Sequence, residues 1–375
     1  MSGDLVLVLV VGAALAFDFT NGFHDTANVV ATSISTRAMS PRIAVAYAAI
    51  FNFIGAFISL EVAATVAKDV VEAGAITPTV VFAGLVGAIA WNLTTWYFGL
   101  PSSSSHALIG GVVGAAFAAV GSEAVITDGV IGKVLVPAII APILAFAVGG
   151  VGIVICYRVL GRQRPGPVTR GFRLGQVVSG GLLALAHGTN DAQKTMGVIT
   201  LTLITSGLLA PGSGPPFWVV LSAGVAIALG TYMGGWRIIQ TLGRRVSDIQ
   251  PAQGFAAETT SAAVILTSTH LGLPLSTTQV CTGSILGSAA GRRLASVHWG
   301  VAGRIALAWA FTLPAAAVMG AAASWLAATG TTGVIVVALT GIAVAAGIYI
   351  ASRRSVVNAL NVNDVPPPIP ADIAA

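Results

Sequence analysis

Gly99-Leu100-Pro101-Ser102-Ser103-Ser104-Ser105-His106 returns in the second half of the chain as Gly272-Leu273-Pro274-Leu275-Ser276-Thr277-Thr278-Gln279, and the match runs on through Gly110/Gly283 and Gly114/Gly287. Proline interrupts a helix because it has no N–H and its ring clashes with the preceding turn. Hydroxyl residues directly after it then take N-cap and first-turn positions of the next helix. Each copy predicts a helical hairpin whose second arm begins with an exposed N-terminus.

A second pair precedes the first in each half. Asn21-Gly22-Phe23-His24-Asp25-Thr26-Ala27-Asn28 aligns with His187-Gly188-Thr189-Asn190-Asp191-Ala192-Gln193-Lys194, so Gly22 matches Gly188 and Asp25 matches Asp191. The two motifs keep the same order and a similar separation in both halves. Self-similarity of this kind marks a duplicated unit.

The 375 residues are 55% hydrophobic and only 8% charged, against about 25% charged in a soluble domain. Ile43–Ala64, Val130–Cys156, Phe217–Trp236, Ile305–Leu326 and Gly333–Ile350 are apolar runs near the roughly 20 residues that a bilayer core requires. The expected fold is an all-α polytopic membrane protein. Met1-Ser2-Gly3-Asp4 carries no basic n-region and no small-residue cleavage site follows, so the first apolar run is expected to stay in the mature protein. The formal charge of +5 comes from Arg in short loops, which argues for topology determinants and against a nucleic-acid partner. Cys156 and Cys281 stand alone in apolar segments, so neither a structural metal site nor a disulfide framework is expected.

Short cytoplasmic loops carry the excess of Lys and Arg. Arg37–Arg42, Arg158–Arg173, Arg237–Arg245, Gly291–Arg304 and the tail after Ile350 are basic, whereas Lys68–Thr79, Gly121–Gly129 and Ser206–Pro216 are acidic or uncharged. The pattern closes only if each Pro-Ser/Thr segment is a re-entrant hairpin. The first, roughly 80–120, enters from outside and the second, roughly 255–290, from the cytoplasm. The expected organisation is two inverted-topology repeats, each with a broken helix and a re-entrant hairpin: 1–157, a basic linker 158–173, 174–352 with an extra transmembrane helix, and a Pro-rich tail 353–375, extended in the cytoplasm. Inverted repeats with interrupted segments in corresponding positions point to a secondary transporter with its site near the midplane.

The chemistry follows from residue type. Helix N-termini with hydroxyls at Ser103, Ser104, Ser105, Ser276, Thr277 and Thr278 suit an oxyanion, although such hydroxyls also join helices in membranes. Asp25 and Asp191 are carboxylates in apolar sequence and repel an anion, so their natural task is to hold a coupling cation, H+ or Na+. Asn28, Asn190 and backbone freed at Gly22 and Gly188 can add neutral oxygens or donors, or bond between helices. Glu258 is a third such carboxylate, positioned opposite Leu85 of the first hairpin, and can join a relay or cation site. His24 and His106 are candidate proton carriers or structural histidines. Lys194 is a phosphate contact, a partner of Asp191, or a snorkelling cation.

At these motifs the chain resembles the inorganic phosphate transporter (Pit/PiT) family of symporters, whose halves carry Gly-x-Asn-Asp and Pro-x-Ser-Thr-Thr-His motifs. Asn21–Asn28, Phe51-Asn52-Phe53, Trp91–His106 and His187–Lys194 are most similar to the bacterial Pit branch, associated with proton-coupled uptake of phosphate or neutral metal–phosphate. The resemblance implies phosphate as substrate, no cofactor beyond the coupling ion, a homodimer in the bacterial inner membrane, and alternating access by displacement of the hairpin region. Three departures stand out: His24 replaces an Asn, Gln279 replaces a His, and Asn52 stands where sodium-coupled relatives carry Glu. H+ is therefore favoured over Na+. An anion channel is the competing class. The chain has no Gly-x-Ser-x-Gly, His-Glu-x-x-His or P-loop motif, so an enzyme is not expected.

Overall fold

A computed structural model describes residues 3–292 and 297–364. These form fourteen α-helices: α1 Gly3–Ser35, α2 Pro41–Gly55, α3 Glu61–Lys68, α4 Pro78–Tyr97, α5 Ser104–Val120, α6 Thr127–Val130, α7 Val136–Leu160, α8 Pro165–Thr205, α9 Phe217–Met233, α10 Trp236–Gln240, α11 Pro251–His270, α12 Thr277–Arg292, α13 Trp299–Ala327 and α14 Thr331–Ser352. The expected all-helical class holds, as it must where lipid offers no partner to a bare N–H or C=O. Five continuous helical stretches among the described residues are long and apolar enough to cross a bilayer: Leu5–Ser35, Pro78–Tyr97, Thr127–Leu160, Trp299–Ala327 and Thr331–Ser352. The pair Phe217–Met233 and Trp236–Arg245 passes the same test only when taken together, and it bends by 59° at the break; counted as one span it makes a sixth.

Two expectations need correction. Ile43–Ala64 is not one span: α2 ends at Gly55, a turn follows, and α3 begins at Glu61. Nor is the chain broken at the motif glycines, because α1 and α8 run unbroken through Gly22 and Gly188. Their carbonyls stay in the helical ladder and are not freed for a ligand. These glycines serve close approach instead. A Cβ on Gly22 would lie 2.3 Å from the Ile227 carbonyl oxygen, and one on Gly188 would lie 2.1 Å from that of Asn52. The reverse contacts match: a Cβ on Gly230 would lie 2.1 Å from Phe19 O, and one on Gly55 would lie 2.3 Å from Leu185 O. Thus α1 packs on α9, and α8 packs on α2.

The same exchange between halves organises the hairpins. Helices α4 and α5 form the first and α11 and α12 the second. Gly110 and Gly114 of α5 press against Leu313 and Ala317 of α13, while Gly283 and Gly287 of α12 press against Pro142 and Phe146 of α7. Each hairpin therefore lies on the long helix of the opposite half. Their turns also match: Gly99 has φ +64° and Gly272 +66°, left-handed values that glycine adopts without Cβ strain. Thr241 Oγ1 donates to Gly99 O at 2.8 Å and Thr65 Oγ1 to Gly272 O at 2.7 Å.

The basic segment is only partly a linker, since Pro165, at the first position of α8, starts the helix and residues 165–173 are its opening turns. The tail is not extended as far as it is described. Arg237 donates to Ser352 O and Ser355 O, and Arg244 donates twice to Asn363 O, so residues 353–364 fold back on α10 and the wide turn after it. Val362 is buried beneath them. Pro366, Pro367, Pro368 and Pro370, the initial Met1-Ser2, and residues 293–296 of the last basic loop lie outside the described residues.

Candidate functional site

Both hairpin turns point their second arms at the motif stretches of α1 and α8. Ser103 is the N-cap of α5 and accepts from the His106 N–H at 3.1 Å; Ser276 accepts from the Gln279 N–H at 3.2 Å. The two caps are equivalent in the two halves. Each satisfies one N–H of its first turn, leaving the others, with the positive end of the helix dipole, directed toward the carboxylates.

Asp25 and Asp191 meet between these helix starts. Ser104 Oγ donates to Asp25 Oδ1 at 3.0 Å, and Thr277 Oγ1 lies 3.4 Å from Asp25 Oδ2 and 3.0 Å from Asp191 Oδ2. Lys194 Nζ donates to Asp191 Oδ1, to Ser105 Oγ at 2.6 Å and to Leu275 O at 2.9 Å. Of the three readings of Lys194, pairing with Asp191 and reach toward the hydroxyl cluster hold together, whereas snorkelling does not, because the side chain is 1% exposed. His24 Nδ1 lies 2.6 Å from Asp25 Oδ1, and His187 Nε2 lies 3.0 Å from Asp191 Oδ2.

Asn28 Nδ2 donates to Thr278 Oγ1 at 2.9 Å and Asn190 Nδ2 to Thr269 Oγ1 at 2.8 Å. The Oδ1 of each asparagine is buried without a donor. Two carboxylates against one fixed ammonium, with neutral oxygens nearby, leave room for a cation. Asp25, His187 and Asp191 present ligand atoms within 4.8 Å of one another. The same cluster offers hydroxyls, helix N–H groups and an ammonium to an oxyanion. It can therefore hold an anion and a cation side by side, where low dielectric strengthens their attraction. No member is more than 4% exposed.

Two expected members stand apart. Glu258 does not join the aspartates. Its carboxylate accepts from Thr32 and Ser33 of α1 at 2.7 Å each, from Gln176 at 3.1 Å and from Ser179 at 2.6 Å, the last two on α8. It lies about 10 Å along α1 from Asp25, because seven residues separate Thr32 from that aspartate. His106 gives its backbone N–H to the Ser103 cap; among the described residues its ring makes no hydrogen bond to either aspartate, and the charged group that faces it is Lys194. Conversely, the sequence reading did not single out His187, Thr95 or Ser102. His187 Nδ1 faces Asn52 Oδ1 at 3.1 Å, and Thr95 and Ser102 flank His24 Nε2 at 3.2 and 3.3 Å. The His187–Asp191 spacing of i, i+4 was the available signal, since it places both on one helix face.

The model of the phosphate transporter family matches residues 21–170 and 160–320. A probable low-affinity inorganic phosphate transporter of Mycobacterium leprae is 54% identical over 363 residues, covering 96% of this chain and 87% of that protein. Its counterpart in Bacillus subtilis is 45% identical over 324 residues, covering 86% and 97%. Among solved structures, one titled the sodium-dependent phosphate transporter superposes with a TM-score of 0.75 at 22% identity, covering 86% of this chain and 98% of that one. At that identity the likeness concerns the fold.

Proposed function

The chain belongs to the phosphate transporter family, and from that premise we propose that it is a secondary symporter carrying inorganic phosphate across the bacterial cell membrane, with H+ as the coupling ion. The observation that carries this reading is the convergence of two capped helix starts, one from each half, on Asp25, Asp191 and Lys194 in a buried site.

Phosphate takes its donors from Ser103, Ser104 and Ser105 on one side and Ser276, Thr277 and Thr278 on the other, with Lys194 supplying positive charge and Asn190 an amide. The cation sits against Asp25 and Asp191, with Asn28 contributing oxygen. His24, in contact with Asp25, is placed to pass a proton. The repeats, inverted with respect to the membrane, exchange access by shifting the hairpins against α1 and α8. The Asp25–His187–Asp191 triangle also suits a divalent ion that travels with phosphate as a neutral metal–phosphate. The protomer works in a homodimer in the inner membrane.

Asn52 favours H+ over Na+: it puts a neutral amide, bonded to Thr231 at 2.7 Å and facing His187, where a carboxylate would strengthen a sodium site. Sodium coupling is the second reading, supported by the unpartnered oxygens of Asn28 and Asn190. Uptake of labelled phosphate into proteoliposomes separates the two. A pH gradient alone should drive accumulation, and Asp25→Asn or Asp191→Asn should abolish it. Accumulation only with a Na+ gradient replaces H+ by Na+, and unitary currents without counterflow make the protein a channel.

A further inference from the structure

Asp18 is a fully buried carboxylate to which the site described above gives no task. It lies deep in the span Leu5–Ser35, roughly 20 Å of helix from Leu5 and roughly 26 Å from Ser35 at the helical rise. Neither of its oxygens accepts a hydrogen bond. Asn21, one turn along α1, and Thr195, from α8, are the polar residues turned toward it; Asn21 Oδ1 and Thr195 Oγ1 are likewise buried without a formed hydrogen bond. The charged groups that face it are Asp191 and Lys194. Lys194 is already engaged by Asp191, Ser105 and Leu275 O.

Glu258 makes the contrast. It is just as buried, yet its carboxylate accepts four hydrogen bonds from α1 and α8. Four formed hydrogen bonds hold Glu258, whereas neither oxygen of Asp18 has one, although Asn21 and Thr195 stand beside it. A carboxylate buried in the span without a formed hydrogen bond is costly to maintain alone, and with the unpartnered oxygens of Asn21 and Thr195 it offers ligands to a cation. Pairing Gly22 with Gly188 places Ala184 opposite Asp18, so the second half has no equivalent.

We propose that Asp18, Asn21 and Thr195 form a binding site for a monovalent coupling cation, H+ or Na+, separate from the Asp25/Asp191 cluster and present once per protomer. The site rests on the symport reading above and adds to it. A cation there lies about 10 Å along α1 from Asp25 and is linked to phosphate through Thr195, the residue after Lys194. Loading Asp18 offsets its charge beside Asp191, and so leaves Lys194 freer to meet the anion.

The test uses the full-length protein in proteoliposomes, with Asp18→Asn, Asp18→Glu and Thr195→Val. The readout is the ratio of gradient-driven phosphate accumulation to phosphate–phosphate exchange, which needs no net cation movement. Asp18→Asn should lower this ratio at least about tenfold, Thr195→Val less, and Asp18→Glu should restore most of it. A wild-type ratio in Asp18→Asn overturns the proposal. So does a parallel loss of both activities that Asp18→Glu fails to rescue, since that marks a structural role.

A second readout requires no transport. The unfolding midpoint of the purified protein is followed with NaCl against choline chloride and across pH, with inorganic phosphate absent. A Na+-dependent rise that Asp18→Asn removes identifies Na+; a pH-dependent change that it removes identifies H+. Identical titrations in wild type and variant overturn the site. Absence of phosphate uptake by the wild type would instead remove the symport reading, while this titration still judges the site.

Discussion

Lys194 Nζ donates to Ser105 Oγ at 2.6 Å, so an ammonium carried by the second half is held against the helix start of the first. The contact joins the two copies of the duplicated motifs at their most charged point. Removing the ammonium should leave Asp191 with His187 and Thr277 alone. Breaking a buried pair in this way costs about 3–5 kcal/mol, so Lys194→Met should lower the thermal midpoint sharply and abolish uptake. Lys194→Met with Asp191→Asn, which removes both charges, should recover most of the midpoint without the uptake. A double variant no more stable than the single one would refute the pairing.

Ser104→Ala together with Thr277→Ala should act on affinity rather than on folding. Each hydroxyl donates toward an aspartate, and a hydrogen bond to a charged group is worth about 1.5–3 kcal/mol. The KM for phosphate in proteoliposomes should rise at least about tenfold, with a smaller change in midpoint. An unchanged KM would move the phosphate elsewhere.

Glu258→Ala should strand the donors of Thr32, Ser33, Gln176 and Ser179, whereas Glu258→Gln keeps an oxygen for some of them. The alanine variant should lose about 2–4 kcal/mol on the scale of buried unsatisfied groups, and the glutamine variant less. Because Glu258 lies apart from the aspartates, the KM for phosphate should stay within about twofold in the glutamine variant. A KM shift as large as that of the hydroxyl pair would show that the two clusters are one.

The matched glycines give a packing test. A side chain at Gly114 or Gly287 collides with a carbonyl at 2.1 or 2.0 Å, whereas a Cβ on Gly12 meets nothing within 4 Å. Gly114→Leu and Gly287→Leu should each cost at least about 1–3 kcal/mol by overpacking, and Gly12→Ala should be neutral. Comparable losses at the two matched positions, read from midpoints in detergent, would show that both interfaces carry similar strain.

The hairpins were legible in the sequence because their causes are local: Pro101 and Pro274 end one helix, and the hydroxyls after them start the next. Asp25 and Asp191 were legible for a different reason, being carboxylates in apolar surroundings. By that same criterion Asp18 was visible and was passed over. Gly22 and Gly188 were misread as points of unwinding, because what decides their role is a carbonyl of Ile227 or Asn52 on another helix. Loop charge assigns a side of the membrane to each segment but not a neighbour, so it could not separate Glu258 from the aspartates. Nor could it reveal that α5 lies on α13 and α12 on α7. The break after Gly55 was hidden because the residues that follow it, Ala56, Phe57 and Ile58, are as apolar as a span.

The exchange of hairpins between halves bears on how the molecule is made. When Leu160 has been synthesised, the glycine face of α5 and the carbonyl face of α7 are both in place, yet their partners, α13 and α12, are not. The first half must wait in the membrane with its closest-fitting surfaces uncovered. A chain cut within residues 161–164 should therefore yield fragments that are degraded singly and persist when made together, since each supplies the surface that stabilises the other.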